Sequence, residues 1–263
     1  MIVLPDFDPV ALHIGPLDIH WYGLAYLIGI VSAIVLGRVR ARQPHSPIPR
    51  PVVLDLVLYC ALGAIIGGRL GFVLFYQFWE YMTNPIAILK VWEGGMSFHG
   101  GLLGAIGGVW AFARKLSIPL LKLTDFLAPF CAVGLFFGRI TNFVNQELWG
   151  RPSELAWAVV FPADPSQLAR HPSQLYEAAL EGVALFLIVW IYSAKPRATG
   201  AVSAVFLIGY GTFRMLVEFF REPDADLGFI FFNWVTMGHL LSVPVFVAGI
   251  ALFMHAKRKE QHV

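Results

Sequence analysis

The sequence predicts an all-α integral membrane protein of about seven transmembrane helices, and three observations predict it. Of 263 residues, 57% are hydrophobic and only 14% are charged, whereas a soluble domain carries about a quarter charged residues. Several runs reach the roughly 20 apolar residues that cross a bilayer core. Basic residues gather in alternate loops, the pattern that fixes orientation in a membrane.

Spans are expected at about 19–37, 53–77, 95–113, 125–144, 174–193, 200–220 and 234–254. All are read as helices, because an open strand in lipid leaves backbone groups unpaired. The segment before the first span, "MIVLPDFDPVALHIG", has Asp6 and Asp8 but no Lys or Arg. A secretory signal peptide opens with positive charge, so the first apolar run is expected to belong to the mature fold. The second span is the least clean, since it holds Arg69. The fourth ends in a polar cluster, "GRITNFVNQELWGRP" at 138–152. The connection at about 145–173 carries Pro152, Pro162, Pro165 and Pro172 with Trp149 and Trp157. Loops beyond roughly 15 residues are usually functional or disordered, and these tryptophans favour a small head on the membrane interface. Residues 1–263 therefore read as a single polytopic domain with a head inserted at 145–173. No internal repeat supports an inverted-repeat transporter.

Charge sets the orientation. Arg38, Arg40, Arg42 and Arg50 follow the first span; Arg114, Lys115 and Lys122 follow the third; Lys195 and Arg197 follow the fifth; Lys257, Arg258 and Lys259 end the chain. That is 12 of the 19 Lys and Arg on one side. Facing them are Asp6, Asp8, Asp18, Glu80, Glu93, Glu154, Asp164, Glu222, Asp224 and Asp226. The N-terminus is expected outside and the C-terminus in the cytoplasm.

Other classes lose support. No basic face is interleaved with aromatics, so nucleic acid is not an expected partner. Cys60 and Cys131 form no metal-ligand or CxxC spacing and read as buried small hydrophobes. No metal site and no cofactor is expected.

At 1.5 Å per residue, several polar side chains reach one depth in the outer part of the membrane. Arg139 in span four and Arg214 in span six are level, with Glu218 and Arg221 just above. His99, Tyr22 and Glu177 start their spans in the same layer; Arg69 is deeper, and His239 is within reach. Ionisable groups in a membrane are costly and normally face a bundle interior or aqueous cavity. Arg214, Glu218 and Arg221 follow i, i+4, i+7 and share a helix face; an intrahelical Arg214–Glu218 ion pair is the plain structural reading. Arg139, Asn142 and Gln146 share a face if the helix continues. Arg139 has no acidic residue at helical spacing before Glu147. Such an arginine is expected to take an anion, and phosphate matches its planar fork. The glycines of "WEGGMSFHGGLLGAIGG" admit close approach of helices, or of a lipid, around His99. His99 reads either as a packing histidine or as a catalytic or substrate contact; His171, before a proline in a loop, carries less by itself.

These residues resemble a known family. "GRITNFVNQELWGRP", "HWYGLAYLIG" (20–29), "WEGGMSFHGGLLG" (92–104), "RHPSQLYEAALEG" (170–182) and "GYGTFRMLVEFFREPD" (209–224) are similar, in family order, to the blocks of the prolipoprotein diacylglyceryl transferases. Thr141 and Gln146 stand where many relatives are expected to carry glycine. The resemblance implies a multi-pass enzyme of the bacterial inner membrane with a periplasmic head and an active site toward the periplasmic leaflet. It implies transfer of the diacylglyceryl group of phosphatidylglycerol to the lipobox cysteine of prolipoprotein signal peptides, releasing glycerol 1-phosphate without a cofactor. It assigns catalysis to His99, Arg139 and Arg214. The expected substrate contacts are Tyr22, Arg69, Asn142, Asn145, Glu147, Glu218, Arg221 and His171, with Glu147 and Glu218 holding arginines in place.

Three other readings use the same residues. An anionic-solute transporter would need a polar path through the inner halves of the spans, where only Asp55 and Asp125 begin helices. An intramembrane protease would need more than Ser97 two residues before His99. A seven-helix receptor matches in count alone.

Overall fold

The computed structural model describes residues 2–15, 17–91, 94–223 and 227–261. Glu93, Asp224 and Asp226, three of the acidic residues expected on the outer side, lie outside the described residues. Among the described residues seven long helices carry the chain: α1 Trp21–Arg40, α2 Val53–Phe75, α3 Phe98–Leu116, α4 Leu120–Val144, α5 Ser173–Tyr192, α6 Ala201–Glu218 and α7 Met237–Gln261. Each expected span is helical. Six are long and apolar enough to cross a membrane; α3 falls short, because its glycines, His99, Arg114 and Lys115 dilute its apolar residues. The chain is a multi-pass membrane protein.

Arg38 and Arg40, Arg114 and Lys115, and Arg258 and Lys259 occupy the last turns of α1, α3 and α7. There they meet the partial negative charge of the helix C-terminus. The last helix runs on to Gln261, so the basic residues expected in a tail belong to its final turns.

The chain divides into two compact units, residues 34–126 and residues 1–33 with 127–263. In the first, α2 and α3 are antiparallel along a glycine seam: Gly63, Gly67 and Gly71 face Gly100, Gly104 and Gly108. A Cβ on Gly67 would stand 2.3 Å from Gly100 O and 2.7 Å from Gly104 Cα. Only a pair of bare backbones can approach this far. The glycines around His99 thus serve helix packing. The other face of α2 leaves Leu58, Leu62, Ile65 and Ile66 exposed, as suits a surface in contact with hydrocarbon. At α3's start Ser97 Oγ accepts from Gly100 N at 3.3 Å, an N-cap that fills one orphan donor of the first turn.

In the second unit Ala128, Ala132, Leu185, Val189 and Val202 pack together where α4, α5 and α6 meet. Residues 178–184 within α5 form a π-helical stretch. The all-α expectation stands, and among the described residues two small sheets accompany the helices. A hairpin joins β2 (Val10–Ile14) to β3 (Leu17–His20) just before α1. A three-stranded sheet places β1 (Ile2–Val3) parallel to β4 (Val159–Val160), which pairs antiparallel with β5 (Ala169–Arg170). Strands are open to these segments because they lie between or before the spans, free of the demand that every backbone group be satisfied within one helix. The 145–173 segment, expected as a head, thus packs with the N-terminal strand β1. The core they share is Leu4, Val159 and Phe161 with Phe143 and Trp149 against them. Trp149 stacks on Phe161 at 5.9 Å, so it fills this core; Trp157 is the exposed one. Cys60 is half-buried and Cys131 exposed, which corrects the reading of both as buried.

Candidate active site

Three arginines and three glutamates meet where α4, α5 and α6 run together. Arg139 Nη2 of α4 lies 3.4 Å from Glu177 Oε1 and 3.4 Å from Glu181 Oε2, both of α5. Arg214 Nη1 of α6 lies 2.9 Å from Glu177 Oε1 and 2.7 Å from Glu218 Oε2. Arg221, just beyond α6, reaches the same two carboxylates at 3.3 and 3.5 Å. Glu177 is the hub of the cluster. The Arg214–Glu218 pair read from helical spacing is present. The unpaired Arg139 is not: its partners come from another helix, which spacing within α4 could not reveal.

Local sequence explains how α5 delivers its carboxylates. A Cβ on Gly182 would stand 2.7 Å from Phe136 Cβ, so glycine lets α5 approach α4 one turn from Arg139. The π-helical stretch includes Glu181, and such stretches re-aim side chains at functional sites. Burial is graded across the cluster. The Glu177 and Glu181 side chains are sealed at 0% exposure, while Arg139 and Arg214 keep 17% and 13%. The accessible edge is cationic, with the carboxylates beneath it.

A second group lies one turn along α4. Asn142 donates from Nδ2 to Tyr22 Oη, and Tyr22 donates in turn to Glu147 Oε1. Asn142 Nδ2 also reaches Glu147 Oε1 at 3.2 Å, and Gln174 Nε2 holds the Glu147 backbone carbonyl at 2.7 Å. Glu147 thus anchors Tyr22 and Asn142 rather than an arginine. Asn145 keeps a buried Oδ1 with no hydrogen-bond partner among the described residues.

The helix does not continue to Gln146. It ends at Val144, and Gln146 has φ of 56°, the left-handed region that favours glycine. That is the reason glycine suits this position. The Gln146 side chain turns into the head, accepting from Ala163 N at 2.9 Å and donating to Asp6 Oδ1 at 3.2 Å. It does not add bulk to the arginine cluster.

Arg69 and His99 belong to the other unit. Arg69, buried in α2, gives its five N–H donors to backbone carbonyls. Nε donates to Ile88 O at 2.9 Å, Nη1 to Gly94 O and to Gly95 O at 3.1 Å, and Nη2 to Ala87 O at 2.6 Å and Lys90 O at 3.1 Å. That accounts for a full guanidinium, so Arg69 is a clamp on the 87–95 loop and has no donor left for a phosphate. His99 is exposed in the first turn of α3, its ring edge-on to Phe98.

His171 lines an apolar cavity of about 420 Å³ with Leu155, Trp157, Tyr176, Leu180 and Leu216. Its Nδ1 lies 3.2 Å from Tyr176 Oη, which also accepts from Trp157 Nε1 at 2.7 Å. Burial lowers the His171 pKa below the usual histidine value, and nearby Arg151 adds to the effect. His239 is buried between Phe219 and Trp234, its Nδ1 against Thr236, whose hydroxyl donates to Glu218 Oε1 at 2.7 Å.

Sequence reasoning missed Glu181, Arg151 and Thr236. Glu181 carried a signal: with Glu177 it is an i, i+4 carboxylate pair inside an apolar run. Arg151 gives Nε to Arg221 O at 2.8 Å and Nη2 to Glu218 O at 3.3 Å, capping the end of α6. Backbone acceptors of this kind leave no trace in sequence.

Comparison with known proteins places this architecture. The family model "Prolipoprotein diacylglyceryl transferase" matches residues 9–255. A protein of Solidesulfovibrio magneticus is 55% identical over 254 residues, covering 96% of each chain. One of Marinomonas sp. is 52% identical over 254 residues, covering 97% of this chain and 94% of its own. One of Ectopseudomonas mendocina is 51% identical over 260 residues, covering 99% of this chain and 98% of its own. All three bear the name phosphatidylglycerol–prolipoprotein diacylglyceryl transferase. The chain belongs to the prolipoprotein diacylglyceryl transferase family.

Proposed function

We propose that this chain transfers the diacylglyceryl group of phosphatidylglycerol to the cysteine thiol of a prolipoprotein lipobox. The observation that carries the reading is the graded cluster: cationic Arg139 and Arg214 at its accessible edge, glutamates sealed behind. The family supplies the substrates that this edge would serve. An anionic-solute transporter draws no support from it.

In this reaction the thiol loses its proton and the thiolate attacks the diacylglyceryl carbon that bears the phosphate ester. A C–S bond forms, the C–O bond to phosphate breaks, and glycerol 1-phosphate leaves with one more negative charge than the diester had. Arginines aimed at those oxygens stabilise the transition state more than the ground state. Arg139 and Arg214 take that role, and Arg221 holds Glu177 and Glu218 in register. A thiol of pKa near 8.5 is mostly protonated at neutral pH, and His99 is the group proposed to accept its proton. Tyr22 and Asn142, fixed on Glu147, orient the headgroup. The site would work on the periplasmic leaflet of the bacterial inner membrane, with 145–173 as a periplasmic head.

The test uses purified protein, phosphatidylglycerol and a lipobox-cysteine peptide, with release of glycerol 1-phosphate as readout. Wild type releases it only with the peptide thiol present, and folded His99→Ala and Arg139→Ala do not. Folded wild type that releases none, but passes anions across liposomes, would overturn the reading in favour of transport.

A further inference from the structure

Glu181 is the least compensated charge in the cluster. Its side chain is sealed from solvent, and Oε2 meets Arg139 Nη2 at 3.4 Å. That nitrogen is shared with Glu177 Oε1, also at 3.4 Å. Glu177 has Arg214 and Arg221 besides, and Glu218 has both of these and the Thr236 hydroxyl. The groups that face Glu181 are Arg139 from α4, Arg214 and Tyr210 from α6, and Glu177 on its own helix. Oε1 of Glu181 and Oε2 of Glu177 are buried with no hydrogen-bond partner among the described residues. Two buried carboxylates on one guanidinium nitrogen repel, and neither can donate a hydrogen bond to the other.

The formal charge of the six side chains is zero, three arginines against three glutamates. A phosphodiester arriving on Arg139 and Arg214 makes it negative. An uncompensated buried charge is strongly unfavourable, and it is most readily removed at the carboxylate with the fewest partners. We propose that Glu181 takes up a proton from solvent as the anionic headgroup binds, so that each lipid enters together with a proton. The proton neutralises Glu181, whose Oε1 has no partner among the described residues, and releases part of Arg139's charge to the phosphate. No covalent bond except the O–H is made. Glu181 is thus a positioning residue, acting on the lipid through Arg139. The inference rests on the reading of this cluster as the phosphatidylglycerol site.

Calorimetric titration of the full chain in detergent with short-chain phosphatidylglycerol tests it, in buffers of different ionisation enthalpy at one pH. For wild type the binding enthalpy should scale with buffer ionisation enthalpy at about one proton per lipid, and affinity should weaken as pH rises, by up to about tenfold per unit. Glu181→Gln, which fixes the neutral state, should bind with no buffer dependence and with affinity independent of pH. Binding without proton uptake in wild type overturns the proposal, as does uptake that persists in Glu181→Gln or disappears instead in Glu147→Gln. If Glu181→Gln does not fold, Glu181→Asp replaces it, read by infrared difference spectra. A lipid-induced C=O band of a protonated carboxyl that shifts in the Asp variant supports the proposal, and an unshifted or absent band overturns it. Wild type that binds no phosphatidylglycerol and shows no transfer overturns the functional reading itself, and this inference with it.

Discussion

Arg214 Nη1 stands 2.7 Å from Glu218 Oε2, one turn further along α6. Glu218 also faces Arg221 and accepts from Thr236, so one carboxylate holds two arginines and the start of α7. Removing one partner of a buried ion pair costs about 3–5 kcal/mol. Glu218→Gln should fall at the low end, because Arg214 keeps Glu177. A lowered melting temperature in detergent and at least about a tenfold loss of transfer are expected. Full stability with full activity would count against the pair.

Arg139→Lys keeps the charge, and one ammonium could replace the Nη2 that meets both Glu177 and Glu181, but it loses the planar fork that would meet a phosphate. Loss of one aimed donor in a catalytic site costs about 10² to 10³ in turnover. Glycerol 1-phosphate release by the folded variant should drop by about that factor. Near-wild-type turnover would refute a role for the fork.

Tyr22→Phe removes the hydroxyl that links Asn142 to Glu147. Asn142 then keeps only its direct contact with Glu147 at 3.2 Å, and each hydrogen bond lost costs about 0.5–1.5 kcal/mol. Transfer should fall while the helices stay folded by circular dichroism. Unchanged kinetics in this variant would mean that the link does not orient the headgroup.

Gly67→Ala should destabilise the unit of residues 34–126, since the new methyl meets backbone on α3. Overpacking of this kind typically costs about 1–3 kcal/mol. Leu62→Ala, on the exposed face of the same helix, is the control and should leave the melting temperature nearly unchanged. Equal melting curves for the two variants would contradict the seam.

The head should loosen in acid. Burial alone would raise the Asp164 pKa, but hydrogen bonds from Arg170 and Ser166 outweigh it and hold the carboxyl below its usual value of 3.8. A group with a lowered folded pKa stabilises above its unfolded pKa, and that stability is lost as pH falls through the folded value. Hydrogen exchange at Val160 and Arg170 should therefore accelerate below about pH 4 and should already be fast at neutral pH in Asp164→Asn. An exchange profile flat with pH in wild type would contradict this.

The spans were legible because length, apolarity and alternating loop charge are properties of contiguous sequence. The Arg214–Glu218 pair was legible because one helix turn is a fixed spacing. Arg139's partners were not, since Glu177 and Glu181 reach it from another helix. Arg69 looked like a site because its acceptors are carbonyls, which every residue has. The head strands are two residues long, too short for any alternation to show. Gln146 marked a break in the family pattern, and its left-handed backbone supplied the cause.

The pairing of Ile2 and Val3 with Val159 and Val160 has a bearing on biosynthesis. The ribosome makes β1 before α1 to α4, and all four must emerge before its partner strand exists. Contacts this far apart in the chain form late. Strand β1, made before every helix, is thus among the last segments to dock, and the three-stranded sheet closes only after the fourth helix has been delivered. A nascent chain stalled before Val159 would leave Leu4 without the core that buries it in the finished protein.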